Sequence, residues 1–254
     1  MFKTIRIFIL LLIFSSVALG TWSERTRSVE WKIPIHVNIY LINGDGSQAV
    51  AEYLHSLTDS NFLPIERFMR DEAARYDRAA SASIKIKLQG ELESEPPEPP
   101  VNGNVLQVVF WSLSMRWWAF HHTDSDGYSP QVKIFLQYYD PAQIKRLGHS
   151  TGLQKGLIGR VKVFASLEMA QQNNVVITHE FLHTLGATDK YDLTTNQPLY
   201  PEGYANPDSQ PVFPQRFAEI MAGRIPISQA EAVIPESLDD VLIGSKTANE
   251  INWM

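Results

Sequence analysis

Cysteine is absent from the 254-residue chain. This excludes disulfide bridges, thiolate metal sites, cysteine nucleophiles and a lipidated N-terminal cysteine. It does not indicate a cytoplasmic protein, because an exported domain of this size can fold without disulfide bridges.

Clusters of lysine and arginine are missing as well. The formal net charge is −6, whereas nucleic-acid binding requires cations gathered against the phosphate backbone. We therefore expect no nucleic acid among the partners.

The composition has neither excess charge nor a shortage of apolar residues. Hydrophobic residues make up 44% and charged residues 20% of the chain, as in ordinary folded domains. The length leaves little room for a second core, so residues 23–254 are predicted to form one domain.

An apolar segment opens the sequence. Lys3 and Arg6 precede the apolar run 7–14, and Ala18 and Gly20 offer small residues for cleavage. This arrangement is typical of a signal peptide, and it is a little short for a spanning helix of about 20 residues. We predict that residues 1–22 are a signal peptide or a signal anchor. The protein is then extracytoplasmic (periplasmic or secreted), with a membrane contact only if the segment stays uncleaved.

Periodicity predicts a chain with both strands and helices, and the fold class that we expect is α+β with an α/β-type mixed sheet. Strands are predicted at 29–41, where apolar and polar residues alternate and Pro34 indicates a free edge or a break, and at 84–89, 132–139 and 157–165. Helices are predicted within 48–79, in two pieces that break near residues 59–61. The Pro-rich loop 91–104 is either a ligand for a proline-binding module or, as we prefer, a stiff spacer. The aromatic run 105–120 is interpreted as core rather than as a membrane or carbohydrate surface.

The segment 173–186 is predicted to be a helix, with Asn173 or Asn174 as its N-cap. It carries two histidines four residues apart, His179 and His183, whose imidazoles project from the same face. Two neutral imidazoles at this spacing can occupy two corners of a tetrahedral zinc site, and Glu180 lies one step around the helix. The spacing predicts His179 and His183 as Zn²⁺ ligands and Glu180 as a general base acting on water.

The longer stretch from His179 to Asp189 resembles the extended zinc motif of the metzincin metallopeptidases. The resemblance implies that Gly186 turns the chain so that Asp189 returns to the metal as third ligand, at a position where that family usually has histidine and some members have an acid. It also implies that Met221, in a tight turn at 219–223, forms the hydrophobic floor of the site. The implied fold is a twisted sheet with an active-site helix and a smaller C-terminal subdomain.

Four further residues are candidates for the same site. Tyr191 and Tyr204 could donate a hydrogen bond to a developing oxyanion, although surface packing explains either tyrosine equally well. Glu202 and Glu219 are alternatives to Asp189 as third ligand. Asp189 is preferred because its spacing fits the glycine turn.

These residues predict a zinc-dependent peptidase that hydrolyses a peptide or protein substrate paired with a sheet edge within 149–165. Three alternatives stay open at this point. One is a zinc amidase acting on a non-protein bond such as that of a cell wall. The others are an exported non-catalytic zinc-binding domain and a metal-free interaction domain.

Overall fold

A computed structural model describes residues 29–78, 83–100, 103–123, 131–154 and 156–254. The predicted N-terminal signal peptide or anchor, residues 1–22, lies outside these described residues. Within them, no helix combines the length and the apolarity that crossing a membrane would take.

A five-stranded mixed sheet forms the centre of the fold, as the periodicity predicts. Its strands lie in the order β2-β1-β3-β5-β4, and only β4 runs antiparallel to its neighbour. The strands are β1 (Ile35–Asn43), β2 (Ile84–Glu91), β3 (Gln131–Tyr139), β4 (Thr151–Leu153) and β5 (Ile158–Phe164).

Helices cover both faces of the sheet. On one face, α1 (Gln48–Ser56), α2 (Leu63–Arg75) and α4 (Ala170–Leu185) bury the main core. The other face is covered by α3 (Val105–His122). Because β2 lies on one side of β1 and β3 on the other, right-handed crossovers require the connecting helices to lie on opposite faces. The predicted break between α1 and α2 is a 3-10 turn at Asp59–Phe62.

The first strand is shorter and more buried than its sequence indicates. Of the two alternatives at Pro34, the structure has the break: β1 begins only after the proline, so residues 29–34 of the predicted strand are not part of it, and Trp31 has left-handed backbone (φ 52°). The indole of Trp31 instead donates a hydrogen bond to the carbonyl of Ile251, at 2.7 Å. Both faces of β1 are covered. Its apolar residues on one face belong to the main core, and Asn38 and Tyr40 on the other face are buried as well. The carboxylate of Asp45, just after β1, accepts hydrogen bonds from the N–H groups of Ser47 and Asp140.

The interpretation of residues 105–120 as core was wrong for most of the segment. In α3, the described buried side chains are those of Trp111, Met115, Trp118 and Ala119. The opposite face exposes a continuous apolar stripe, with Leu106, Phe110, Trp117 and Phe120 between 65% and 76% exposed. A helix that is apolar all around is expected to be buried on all sides, but the sheet covers only one side of α3.

The Pro-rich loop, which precedes α3 in the chain, lies beside it on the same face of the sheet. Glu98 forms ion pairs with Arg160 and Lys162 of β5, and Glu95 accepts a hydrogen bond from Gln137 of β3. The indole of Trp111 donates to the carbonyl of Pro97 at 2.9 Å. These contacts hold the loop against the sheet, and the spacer interpretation stays a prediction.

A smaller C-terminal part closes one side of the molecule. It contains the strand pairs β6 (Ala218–Glu219) with β9 (Val241–Leu242), and β7 (Ile225–Pro226) with β8 (Ala232–Val233). A 3-10 turn (Leu238–Asp240), capped by Ser237, leads into β9, and the short helix α5 (Ser245–Glu250) follows.

Candidate metal centre

The helix α4 carries the two predicted histidine ligands. It begins at Ala170, one turn before the predicted start, so Asn173 and Asn174 are not N-caps. Their amides instead tie the helix to its neighbours, since Asn173 donates to the carbonyl of Phe164 and Asn174 to that of Asn61. The helix is therefore fixed against β5 and the 3-10 turn at Asp59–Phe62 before the histidines begin.

A glycine turn ends α4 immediately after His183. Gly186 has a φ of 106°, in the left-handed region that favours glycine, and its N–H donates to the carbonyl of His183. The next N–H, of Ala187, donates back to the carbonyl of Leu182 at 3.1 Å. The chain thus reverses within a few residues and brings Asp189 to the face that carries both histidines.

Three ligand atoms converge at this face. The Nε2 atoms of His179 and His183 lie 3.1 Å apart. The Oδ1 atom of Asp189 lies 3.2 Å from the first and 3.1 Å from the second. Ligands of a tetrahedral zinc ion at bond lengths of about 2.0–2.1 Å are separated by about 3.3 Å. The triangle therefore has nearly the size of one face of a zinc coordination tetrahedron, and these three residues form the one metal-competent group within the described ranges.

Backbone carbonyls orient both imidazoles. The Nδ1 atom of His179 lies 2.9 Å from the carbonyl oxygen of Ile220, and that of His183 lies 2.8 Å from the carbonyl oxygen of Ala187. A carbonyl only accepts, so each Nδ1 carries a proton, and Nε2 is the ring atom that faces the cluster.

The electrostatics of the cluster favour a positive charge between its side chains. Burial lowers the pKa of His179, but the hydrogen bond to Asp189 and the charge of Glu180 outweigh it and raise that pKa to about 9. Burial would raise the pKa of Asp189, yet its contacts with both histidines hold it well below the usual range. A proton or a metal ion must therefore neutralise the cluster.

Glu180 lies beside the ligands without joining them. Its side chain is buried, and its Oε2 atom has no hydrogen-bond partner. Burial raises the pKa of Glu180, and the two histidines lower it again in part. A buried carboxylate oxygen without a partner is rare in folded proteins, and here it lies in the same cleft as His179.

The predicted tight turn lies directly under His179. The N–H groups of Ala222 and Gly223 both donate to the carbonyl of Glu219, and Met221 is completely buried in the main core. The side chain of Glu219 points away from the metal ligands. Its carboxylate accepts from the N–H groups of Met221, Ala222 and Gly244 and from the hydroxyl of Thr247.

The remaining candidates separate in space. Tyr191 lines the cleft beside His179, with ring centroids 6.5 Å apart, and burial together with the charge of Asp189 raises its pKa to about 12. Tyr204 packs between Tyr200 and Phe213, around a different hollow. Glu202 is half exposed, near Lys246, and outside the ligand cluster.

An edge strand borders the cleft. β4 is the outermost strand of the sheet and lies within the predicted edge 149–165. At Gly152 a side-chain carbon would lie 2.5 Å from both the carbonyl oxygen of Glu180 and the Cβ of His183. Only glycine allows the strand to approach the ligand helix this closely. The cleft has a volume of about 300 Å³; a larger cavity of about 590 Å³ lies between α2 and residues 237–242, away from the ligands.

Two features of the site were missed by sequence reasoning. The carbonyls of Ile220 and Ala187 carry no side-chain signal, so no motif could indicate them. Arg224, which also lines the cleft, follows the predicted tight turn by one residue and was detectable as the nearest cation to it.

Comparison with known proteins gives no family assignment. No family model matches the chain, and no curated protein is significantly similar to it in sequence. What stands is a mixed α/β fold with a His/His/Asp cluster that can hold a metal ion.

Proposed function

We propose that the protein is a zinc-dependent peptidase of the metzincin type. One observation carries the proposal. The ligand atoms of His179, His183 and Asp189 converge next to a buried carboxylate oxygen of Glu180 that has no partner. A purely structural zinc site has no need of that fourth residue, whereas hydrolysis requires a base beside the metal.

The donor set suits zinc. Two imidazoles and one carboxylate are ligands that zinc accepts in catalytic sites, where a fourth position is left for water or substrate. Asp189 is exposed, and His179 lines the cleft, so His179, His183 and Asp189 would hold a zinc ion that solvent and substrate can reach. The turn that contains the buried Met221 supports His179 through the carbonyl of Ile220.

The residues of the cleft can then take separate roles in hydrolysis. A bound zinc ion would supply a Lewis acid that polarises the scissile carbonyl and lowers the pKa of water. Glu180 accepts a proton from the attacking water, whose oxygen bonds to the carbonyl carbon. As the C–N bond breaks, Glu180 returns that proton to the leaving nitrogen. Tyr191, whose raised pKa keeps its hydroxyl protonated, donates to the developing oxyanion.

The edge strand β4 offers a place for a peptide substrate. An extended peptide can add to a free strand edge through backbone hydrogen bonds. Gly152 keeps that edge within contact distance of Glu180 and His183, so a peptide paired with β4 would pass over the ligands. The expected setting remains extracytoplasmic, with residues 1–22 as signal peptide or anchor.

Metal content tests the ligand set. The full chain, purified with zinc present, should carry about one zinc per chain. Asp189→Ala should lower zinc affinity by more than the roughly 10- to 100-fold loss that is typical when a residue hydrogen-bonded to a metal ligand is removed. The matched control is Glu202→Ala, which removes the alternative acid and should leave affinity unchanged. Metal-free wild-type protein, or equal losses in both variants, would refute the site.

Turnover tests the role of Glu180. Glu180→Gln should keep the metal and the fold but lower the peptide cleavage rate by about 10²- to 10⁴-fold, because general-base catalysis contributes that much. The assay follows a mixture of unstructured peptides by mass spectrometry. Undiminished cleavage by this variant contradicts the mechanism. Full metal occupancy with no cleavage by the wild type favours the non-catalytic zinc-binding alternative.

A further inference from the structure

The wall of the cleft that faces α4 carries one permanent positive charge. Arg224 lines the same cleft as His179 and Glu180 and is half-buried. Among the described residues, nothing forms a hydrogen bond or an ion pair with its guanidinium. Arg67 and Arg146 also lack such a partner, but both are exposed to solvent.

The lack of a partner leaves this guanidinium hydrated, because none of its nitrogens is fully buried. Displacing that water is unfavourable unless an opposite charge or hydrogen-bond acceptors replace it. Arg160 shows how the chain pairs such a group elsewhere, since one of its terminal nitrogens forms an ion pair with Glu98. Arg224 has five N–H donors that an anionic ligand in the cleft could take up.

The backbone fixes Arg224 on both sides. The N–H of Gly223 donates to the carbonyl of Glu219, and its φ of 67° is in the left-handed region that favours glycine. Immediately after Arg224, Ile225 pairs with Val233 in the β7–β8 hairpin. The side chain is therefore carried by a defined turn beside the metal ligands and not by a free loop.

The charges around the ligands leave Arg224 uncompensated. The carboxylates of Asp189 and Glu180 together balance a divalent ion, so the guanidinium gives the loaded cleft a net positive charge. Among the described residues that line the cleft, Glu180 is the one acid and Arg224 the one lysine or arginine, and His149 adds an imidazole. A ligand that carries a carboxylate near Arg224 would complete the pairing in bidentate geometry.

We propose that the cleft selects peptides with a carboxylate close to the cleaved bond, and that Arg224 is the specificity-determining residue. This inference rests on the proposed peptidase function. The carboxylate can come from an aspartate or glutamate side chain or from a free C-terminus. Both present the same planar pair of oxygens to the guanidinium.

Binding to the Glu180→Gln chain, loaded with zinc, separates recognition from turnover. A neutral fluorescent peptide with an amidated C-terminus is compared with versions that carry one glutamate, scanned along the sequence, and with one that has a free C-terminus. The best glutamate peptide, the free-acid peptide or both should bind at least about tenfold more tightly than the neutral parent, as expected for a charged hydrogen-bonded pair. Preference for only one of them identifies the source of the carboxylate.

Variants at position 224 then test the assignment. In the same background, Arg224→Gln should abolish the preference, Arg224→Lys should retain part of it, and Arg224→Glu should favour a lysine peptide instead. Arg146→Gln, an exposed arginine outside the cleft, is the matched control and should change nothing. An unchanged preference in Arg224→Gln, or no preference in the parent chain, overturns the inference.

The proposed function can fail separately. If the wild-type chain cleaves neutral and acidic peptides equally well, the peptidase proposal stands and the role of Arg224 falls. If it cleaves none while binding keeps the carboxylate preference, the role of Arg224 stands and the peptidase proposal falls.

Discussion

Glu219 should control the metal site without touching the metal. Its buried carboxylate holds the turn whose Ile220 carbonyl orients His179. The substitution Glu219→Gln keeps the shape of the side chain but replaces one accepting oxygen with an NH₂ group. We expect this single change to lower both the free energy of unfolding and the affinity for zinc.

The size of the effect follows from the four hydrogen bonds. With the NH₂ facing the turn, the N–H groups of Met221 and Ala222 both lose their acceptor. With the amide reversed, the N–H of Gly244 loses its acceptor, whereas the hydroxyl of Thr247 can rotate to accept. Each hydrogen bond to a charged group contributes about 1.5–3 kcal/mol. The less damaging orientation therefore lowers the free energy of unfolding by about 2–4 kcal/mol, once the weaker remaining bonds are included.

Glu72→Gln is the matched control. Glu72 is also a buried carboxylate, and it accepts a hydrogen bond from the N–H of Ile243 at 2.6 Å, but it makes no contact with the turn. Urea unfolding should show a loss of stability in both variants. Competition with a chelator should show a roughly 10- to 100-fold loss of zinc affinity only for Glu219→Gln, the range typical of outer contacts to metal ligands. Equal zinc affinities in two variants of similar stability would refute the idea that Glu219 positions His179.

Three more results are expected. Gly152→Ala should lower the free energy of unfolding by about 1–3 kcal/mol through overpacking against α4, and it should weaken zinc binding. The control in the same assays is Gly148→Ala, where the added methyl group meets only the flexible end of a lysine side chain. Burial alone would raise the pKa of Asp45, but hydrogen bonds from backbone N–H groups lower it overall, so Asp45→Asn should cost about 1 kcal/mol of stability at neutral pH. The difference between wild type and this variant should shrink as the pH falls below about 4, where the unfolded carboxyl binds its proton first; a constant difference contradicts the assignment. On α3, Met115→Ala should cost about 2–5 kcal/mol, whereas Phe120→Ser should stay within about 0.5 kcal/mol, both measured by urea unfolding.

The sequence predicts the His/His/Asp cluster because its geometry is local. The helical spacing of His179 and His183 places them on one face, and the single turn at Gly186 returns Asp189 to it. No long-range contact is needed for this arrangement. Spacing alone favours Asp189 over Glu202 and Glu219 as the third member of the cluster. The structure agrees, because Asp189 lies beside the two histidines and neither glutamate does.

Long-range contacts explain what the sequence did not predict. The apolar run 105–120 fits a buried helix, but periodicity cannot say whether a second layer covers its outer face. In the described part of the chain, the sheet and the Pro-rich loop contact α3, and its outer apolar stripe stays exposed. The strand β1 begins late because Trp31 is held by Ile251, more than two hundred residues away. The roles of Glu219 and Arg224 depend on which segments the fold brings together, and no local pattern encodes that.

The contacts of the C-terminal segment set an order on the assembly of the site during synthesis. Glu250 binds both Thr188 and Lys190, on either side of Asp189, and Thr247 completes the hydrogen bonds of Glu219. His179, His183 and Asp189 are synthesised before these residues are added to the chain. The three side chains therefore lack these supporting contacts until α5 folds back onto them. If the cluster binds a metal ion as proposed, a chain that stops before residue 247 would contain all three side chains and still bind the metal weakly.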